Sequence, residues 1–387
     1  MTDDPPPNPA LLPSGLRDLL PPEAEIEAAS VEAIMSSFAA HGYQRVKPPL
    51  LEFEDSLLAG AGGAVAADTF RLLDPDSHRM LALRSDTTPQ VARIAATRLA
   101  DAPRPLRLSY AGQCLRTRGS QLAPDRQVAQ AGIELVGVDS PAADAEIVLV
   151  VADALAAVGL ARYSFDLTLP PLVPAVLAAA GLDEATRRGL ARALDRKDAA
   201  AVRAHLGADG AALATMLIEL LLAAGPADRA LAALAAADLP FAARRLAVRL
   251  QETVTAIHAR APGLKLTVDP IEFRGYLYHT GVCITVYAPG RQEELGRGGR
   301  YLCGESEPAT GVTLFPDAVL RAAPRQTPRP RVFVPFGVAA EAATALRRQG
   351  YATVVALEPT ANPLAEARRL ECAQILTERG LSTVATE

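Results

Sequence analysis

The chain is 387 residues long, half of them hydrophobic, and its 44 acidic and 39 basic side chains leave a formal net charge of −5 at pH 7. That length and apolar content support two or three domains with real cores and exclude a disordered or fibrous chain. The mild acidity, and arginines dispersed among acids with only Lys47, Lys197 and Lys265 as lysines, exclude the basic stripe by which proteins grip RNA phosphates.

No membrane span is expected, because the longest apolar stretch, Leu167–Leu182, is broken by Pro170, Pro171 and Pro174 and falls short of the ~18 residues a bilayer requires. The opening MTDDPPPNPA carries acids and prolines where a signal peptide carries basic and apolar regions, which predicts a cytoplasmic protein. Cys114, Cys283, Cys303 and Cys372 form no CxxC pair, and the histidines are scattered with no HExxH, so neither disulfides nor a metal or other cofactor is expected.

Residues 1–11 read as a flexible tail. From Glu23 to His41, Val31, Ile34, Met35 and Phe38 recur at helical spacing, and Gly42 supplies a stop. Tyr43–Phe53 reads as extended chain around Pro48 and Pro49, and Met80–Arg84 as a short strand. Thr88 and Pro89 then give an N-cap and a first-turn proline to a helix with Val91, Ile94 and Leu99 on one face. Leu106–Arg116 and Gln127–Gly137, separated by the polar loop Thr117–Arg126, predict an antiparallel hairpin. Residues 171–262 are rich in Ala, Leu and Arg without strand-forming runs, which predicts an inserted helical module. Extended chain returns over Leu264–Tyr287 and Glu294–Leu302. The expected class is α+β, an antiparallel sheet flanked by helices, the main domain spanning 12–321. Residues 322–331 form a proline-rich linker, and 332–387 a short C-terminal α/β domain with strands at Val332–Phe336 and Ala352–Leu357.

Four segments carry candidate chemistry. In Arg84-Ser85-Asp86-Thr87-Thr88 a strand meets a helix and leaves a carboxylate beside hydroxyls, which suits either an ammonium ligand or plain helix capping. Gln130, Gly132 and Glu134 share one face of a strand. If that face is solvent they mean nothing; if it is enclosed they must bind something, since an unpaired buried carboxylate is costly. In the third segment Arg274, Tyr276, Tyr278 and Thr280 share a strand face, and in the fourth, Leu295 to Tyr301, closely spaced glycines admit a ligand, a neighbouring backbone or simply a bulge.

Taken together these segments resemble the class II histidyl-tRNA synthetase family, and within it the ATP phosphoribosyltransferase regulatory subunits of histidine biosynthesis. The likeness runs from Leu12-Pro13-Ser14-Gly15-Leu16-Arg17-Asp18 to about Arg321. Arg84–Thr88 is similar to the synthetase RPEGT element with Asp86 for glutamate, and Arg116–Gly137 to motif 2. RGYLYHTG (274–281) is similar to RGLDYYTG, and GGRYLCG (298–304) to GGRYDGL. The resemblance implies a class II synthetase-like sheet with a pocket for histidine. Asp86 and Thr88 would take the α-amino group, Arg116, Gln130 and Arg274 the carboxylate, and Glu134 the imidazole, with Tyr278 and His279 completing the wall.

Other positions depart from the synthetase pattern. Arg118 replaces the glutamate that accepts from adenine, Pro124 the arginine that meets the terminal phosphates, and Ala318 the motif 3 arginine. Adenylate formation needs such cations because charge develops on phosphate in the transition state. The C-terminal segment is also shorter than an anticodon-binding domain. The resemblance therefore implies a catalytically silent relative that partners the short-form ATP phosphoribosyltransferase catalytic subunit, self-associates through the first helix and Tyr43–Phe53, responds to histidine and binds no tRNA. A divergent histidyl-tRNA synthetase and a free-standing amino-acid sensor stay open as alternatives.

Overall fold

A computed structural model describes residues 10–119, 123–273, 278–304, 306–324 and 327–385. Two compact units emerge, the larger built mainly from Glu27–Pro324, and the smaller from Arg325 onward together with residues 21–26.

The first helix, α1 (Glu23–Ala40), belongs to the larger unit from Glu27 on and buries Ile34, Met35 and Phe38 as their spacing predicts. Gly42, at φ 83°, turns the chain out of the helix in the left-handed conformation glycine tolerates. Then come β1 (Gln44–Arg45), β2 (Leu51–Phe53), the single turn α2 (Glu54–Leu57), a 3-10 stretch over Gly60–Asp68, β3 (Arg71–Leu73) and β4 (Met80–Leu83). The helix α3 (Thr88–Thr97) precedes the hairpin of β5 (Leu106–Leu115) and β6 (Gln127–Val136). Next are α4 (Pro141–Ala157) and β7 (Ser164–Thr168).

Six helices follow: α5 (Leu172–Ala179), α6 (Glu184–Asp195), α7 (Ala199–Leu206), α8 (Ala211–Ala223), α9 (Ala227–Ala236) and α10 (Phe241–Arg260). Between α8 and α9 lies β8 (Gly225–Pro226), a two-residue strand in a segment read as purely helical; it pairs with the next strand through backbone geometry that no side-chain pattern records. The unit closes with β9 (Leu266–Asp269), β10 (His279–Tyr287), β11 (Gly296–Cys303), β12 (Glu307–Leu314) and α11 (Pro316–Ala322).

One nine-stranded sheet, in the order β1-β5-β6-β12-β11-β10-β7-β9-β8, organises this unit. Its pairs are antiparallel except β1 with β5 and β7 with β9. Alternation along β6 divides its side chains between two environments. Ala131, Ile133 and Leu135 enter the main core with Phe38 of α1, Ile147 and Leu155 of α4 and Leu250 of α10. Val136 faces a second cluster that includes Val91 and Ala95 of α3, Tyr110 of β5 and Tyr301 of β11. The polar residues Gln130 and Glu134 share that second face. Arg300 of β11 points the other way, into a buried pair with Asp144 of α4 at 2.7 Å, and its Nη1 and Nη2 also donate to the carbonyls of Val138 and Ser140. A separate small sheet, β2-β4-β3, lies beside the 3-10 stretch in sequence.

In the smaller unit β13 (Arg331–Val334), α12 (Ala340–Arg348), β14 (Ala352–Val355), α13 (Pro363–Arg369), β15 (Gln374–Thr377) and β16 (Gly380–Thr383) form a four-stranded sheet ordered β14-β13-β15-β16. The pairs of β13 are parallel, and only β15 with β16 is antiparallel. Asn362 caps α13 by accepting from the Ala365 amide at 3.0 Å, as the Asn-Pro signal suggests. No helix among the described residues is long and apolar enough to cross a membrane.

Candidate functional site

The second face of the large sheet encloses a cavity of about 290 Å³. The residues singled out from sequence meet there: Asp86 and Thr88 at the β4–α3 junction, Arg116 just past β5, Gln130 and Glu134 on β6, and Tyr278 with His279 at the start of β10. Arg274, the remaining candidate, lies outside the described residues, as does the rest of 274–277. The polar face of β6 is therefore the enclosed one, Gln130 being 2% and Glu134 1% exposed.

Thr88 is not the cap its sequence suggests. It is the first residue of α3, with Thr87 at the N-cap, and neither hydroxyl caps the helix. The Thr88 hydroxyl instead donates to Glu134 Oε1 at 3.0 Å, and the Thr87 hydroxyl lies 3.3 Å from Cys114 Sγ. Asp86 takes over the local backbone: its Oδ1 accepts from the Thr88 amide at 3.3 Å and from Gln130 Nε2 at 3.2 Å. Gln130 Oε1 in turn accepts from the Thr87 amide at 3.0 Å. This closed set of bonds fixes the Asp86 carboxylate at the cavity wall and leaves acceptor capacity for a ligand. Arg84, the first residue of the same segment, has a structural role: its Nε donates to the Gln113 carbonyl at 2.8 Å and its Nη1 to that of Pro48 at 3.2 Å.

Glu134 is the most deeply placed acid of the cavity. Tyr301 donates to its Oε2 at 2.9 Å, and Tyr110, itself 2.6 Å from Thr313 Oγ1, reaches Oε1 at 3.5 Å. Burial outweighs these hydroxyl contacts and pushes the Glu134 carboxyl up to about 8. Two glycines make the arrangement possible. A Cβ at Gly311, opposite Glu134 in the β6–β12 register, would occupy the place of Oε2, and one at Gly132 would meet the Tyr110 ring. His279 stacks on Tyr278 with ring centroids 4.2 Å apart; burial, with the Arg297 charge nearby, lowers its pKa to about 3, so the imidazole is neutral.

Several contributors escaped the sequence reading as individual site residues: Tyr301 and Tyr110, whose hydroxyls reach Glu134, Thr313, which bonds the Tyr110 hydroxyl, and Arg297, which lines the cavity from β11. Their signal was period-two alternation, which puts Thr313 on the Gly311 face of β12. Arg118, Pro124 and Ala318, three of the positions that depart from the synthetase pattern, are not among the residues lining the cavity. Arg118 and Pro124 are exposed, and Ala318 of α11 is buried in the main core, while Phe315, three residues earlier, reaches the cavity. The site thus offers opposed charges, Asp86 against Arg116 and Arg297, with a buried carboxyl beyond them. That layout suits a small zwitterion.

Comparison with known proteins agrees with the fold. The histidyl-tRNA synthetase family profile matches residues 15–319. An ATP phosphoribosyltransferase regulatory subunit from Paramagnetospirillum magneticum is 55% identical over 97% of this chain and 98% of its own length. One from Geobacter sulfurreducens is 34% identical over 89% and 82%. Among solved structures, an ATP phosphoribosyltransferase regulatory subunit/histidyl-tRNA synthetase from Bacillus halodurans superposes with a TM-score of 0.78 at 23% identity, covering 92% of this chain and 96% of that one. The histidyl-tRNA synthetase of Nostoc sp. PCC 7120 gives 0.78 at 17% identity, covering 95% and 91%. At those identities the superpositions establish the fold, and the sequence relatives establish the branch. The chain belongs to the histidyl-tRNA synthetase family and, within it, to the ATP phosphoribosyltransferase regulatory subunits.

Proposed function

We propose that the cavity binds a free amino acid, most simply histidine, and that the chain uses this occupancy to regulate a separate short-form ATP phosphoribosyltransferase catalytic subunit in the cytoplasm, acting as a homodimer and without tRNA. The observation that carries the reading is the enclosure of Asp86, Arg116 and Glu134 around one cavity of about 290 Å³, at the low end of the range for small-molecule sites. In this reading the α-ammonium sits on Asp86, the carboxylate on Arg116 and the side chain towards Glu134 and His279. A neutral His279 can offer either a donor or an acceptor to an imidazole. The loss of phosphate-binding arginines at Pro124 and Ala318 supports binding without adenylate chemistry.

Calorimetric titration of the full chain with histidine tests the reading. Saturable binding is expected, weakened about 10-fold to 100-fold by Asp86→Asn, since a hydrogen bond to a charged group contributes roughly 1.5–3 kcal/mol. Absence of binding at millimolar histidine would remove the intrinsic pocket.

A further inference from the structure

A second cleft, of about 800 Å³, lies where the chain leaves α4 and α10 and enters β7 and β9, and it shares no lining residue with the first cavity. Three cations line it from separate segments: Arg162 just before β7, Arg260 at the end of α10 and Lys265 just before β9. None of the three makes an ion pair among the described residues. The carboxylate in the wall, Asp153, lies 3.0 Å from His41 Nε2. Arg260 also acts on Glu146, but that acid is already held by Arg107 at 2.8 Å and by the Tyr43 hydroxyl at 3.1 Å.

A concave wall with an excess of one charge, here three cations against the single carboxylate of Asp153, focuses its potential and raises the local concentration of counter-ions. Arg260 has an ordinary role at the carbonyl end of α10, where a cation complements the helix dipole. Arg162 and Lys265 end no helix and have no such role. Leu149, Leu264, Ala288 and Pro289 supply an apolar part of the cleft wall, next to the polar Ser164 and Thr267. Tyr163 is fixed there by donating to the Ala152 carbonyl at 3.2 Å.

We propose that this cleft is a second ligand site, taking a phosphorylated small molecule of nucleotide size with its phosphates on Arg162, Arg260 and Lys265 and its less polar body against Leu264 and Pro289. Guanidinium forks match phosphate oxygens in pairs, and three cations from three segments call for a ligand with more than one negative charge. The volume falls within the range of sites for drug-sized ligands.

The test is calorimetry on the full chain with inorganic pyrophosphate and with ATP as separate probes, repeated on Arg162→Gln/Lys265→Gln and on Arg116→Gln of the first cavity. Saturable binding is expected, weakened at least ~10-fold in the double variant, as follows from losing two charge-assisted contacts. Arg116→Gln should leave it unchanged. ATP binding more tightly than pyrophosphate would assign the apolar wall to the ligand body, and equal affinity would overturn that part. Thermal unfolding of each variant without ligand checks the fold, and Lys265→Gln alone, at an exposed loop position, replaces the double variant if that fails to fold. No saturable binding of either probe, binding indifferent to the cleft substitutions, or binding lost in Arg116→Gln would overturn the proposal.

Discussion

Replacing Glu134 by glutamine should change how the stability of this chain depends on pH. The carboxyl is fully enclosed, its contacts are the hydroxyls of Tyr301, Thr88 and Tyr110, and its pKa rises from 4.5 to about 8 because burial disfavours the charged form. Between those two values the folded chain keeps a proton that the unfolded chain has released. Stability contributed by the neutral carboxyl is therefore fully present below pH 4.5 and is lost as pH rises through that window towards 8. The slope reaches at most ~1.4 kcal/mol per pH unit. Glutamine keeps the shape and cannot titrate; its carbonyl can still accept from Tyr301, and its amide can donate to the Thr88 oxygen once that hydroxyl turns towards Tyr110.

His279 titrates in the opposite sense, since its pKa falls from 6.5 to about 3 and stability is gained as pH rises across that interval. Both proteins share that contribution, so the difference between their curves isolates Glu134. Urea unfolding of the wild type and Glu134→Gln at several pH values from 4.5 to 8 supplies the measurement. The wild type should lose its advantage, or deepen its deficit, relative to the variant as pH rises. Parallel curves would instead mean that Glu134 is ionised throughout this range.

Two further substitutions probe the scaffold. Arg300→Ala strands the fully buried Asp144 carboxylate, so unfolding free energy should fall by about 3–5 kcal/mol; a change within the scatter of the urea measurement would show that Arg249, 3.5 Å from the same carboxylate, suffices. Leu50 is 55% exposed, and Leu72, Leu73 and Met80 of the small sheet are exposed as well. Leu50→Asp should convert a dimer to monomers in sedimentation, because burying an unpaired charge at an interface costs several kcal/mol; a monomeric wild type would remove that interface.

Much of this was legible in the sequence because it depends on local pattern. The β5–β6 hairpin announced itself through two extended runs around a polar loop, and period-two alternation put Gln130 and Glu134 on one face. What alternation could not say was which face is covered; that depends on α3 packing over the sheet. The Thr88-Pro89 pair correctly marked a helix start, but Thr88 spends its hydroxyl on an acid 46 positions away, a contact invisible to capping rules. The helix α4 left little periodic signal because it is buried on nearly all sides, with Ile147, Val148, Leu149, Val150 and Val151 in succession, although Ser140 does cap it by accepting from the Ala143 amide. The strand β12 was missed because Gly311 interrupts a short run. That glycine is where Glu134 needs room.

On the proposed reading the cavity holds an amino acid without activating it, and its occupancy serves regulation. The most direct measurement is to mix the purified chain with a short-form ATP phosphoribosyltransferase and follow both the mass of the assembly and its phosphoribosyl-transfer rate, with and without histidine. A stable mixed complex is expected, with a rate that differs from that of the catalytic subunit alone, responds to histidine, and responds less in Asp86→Asn. A complex that fails to form, or a rate indifferent to histidine, would contradict it.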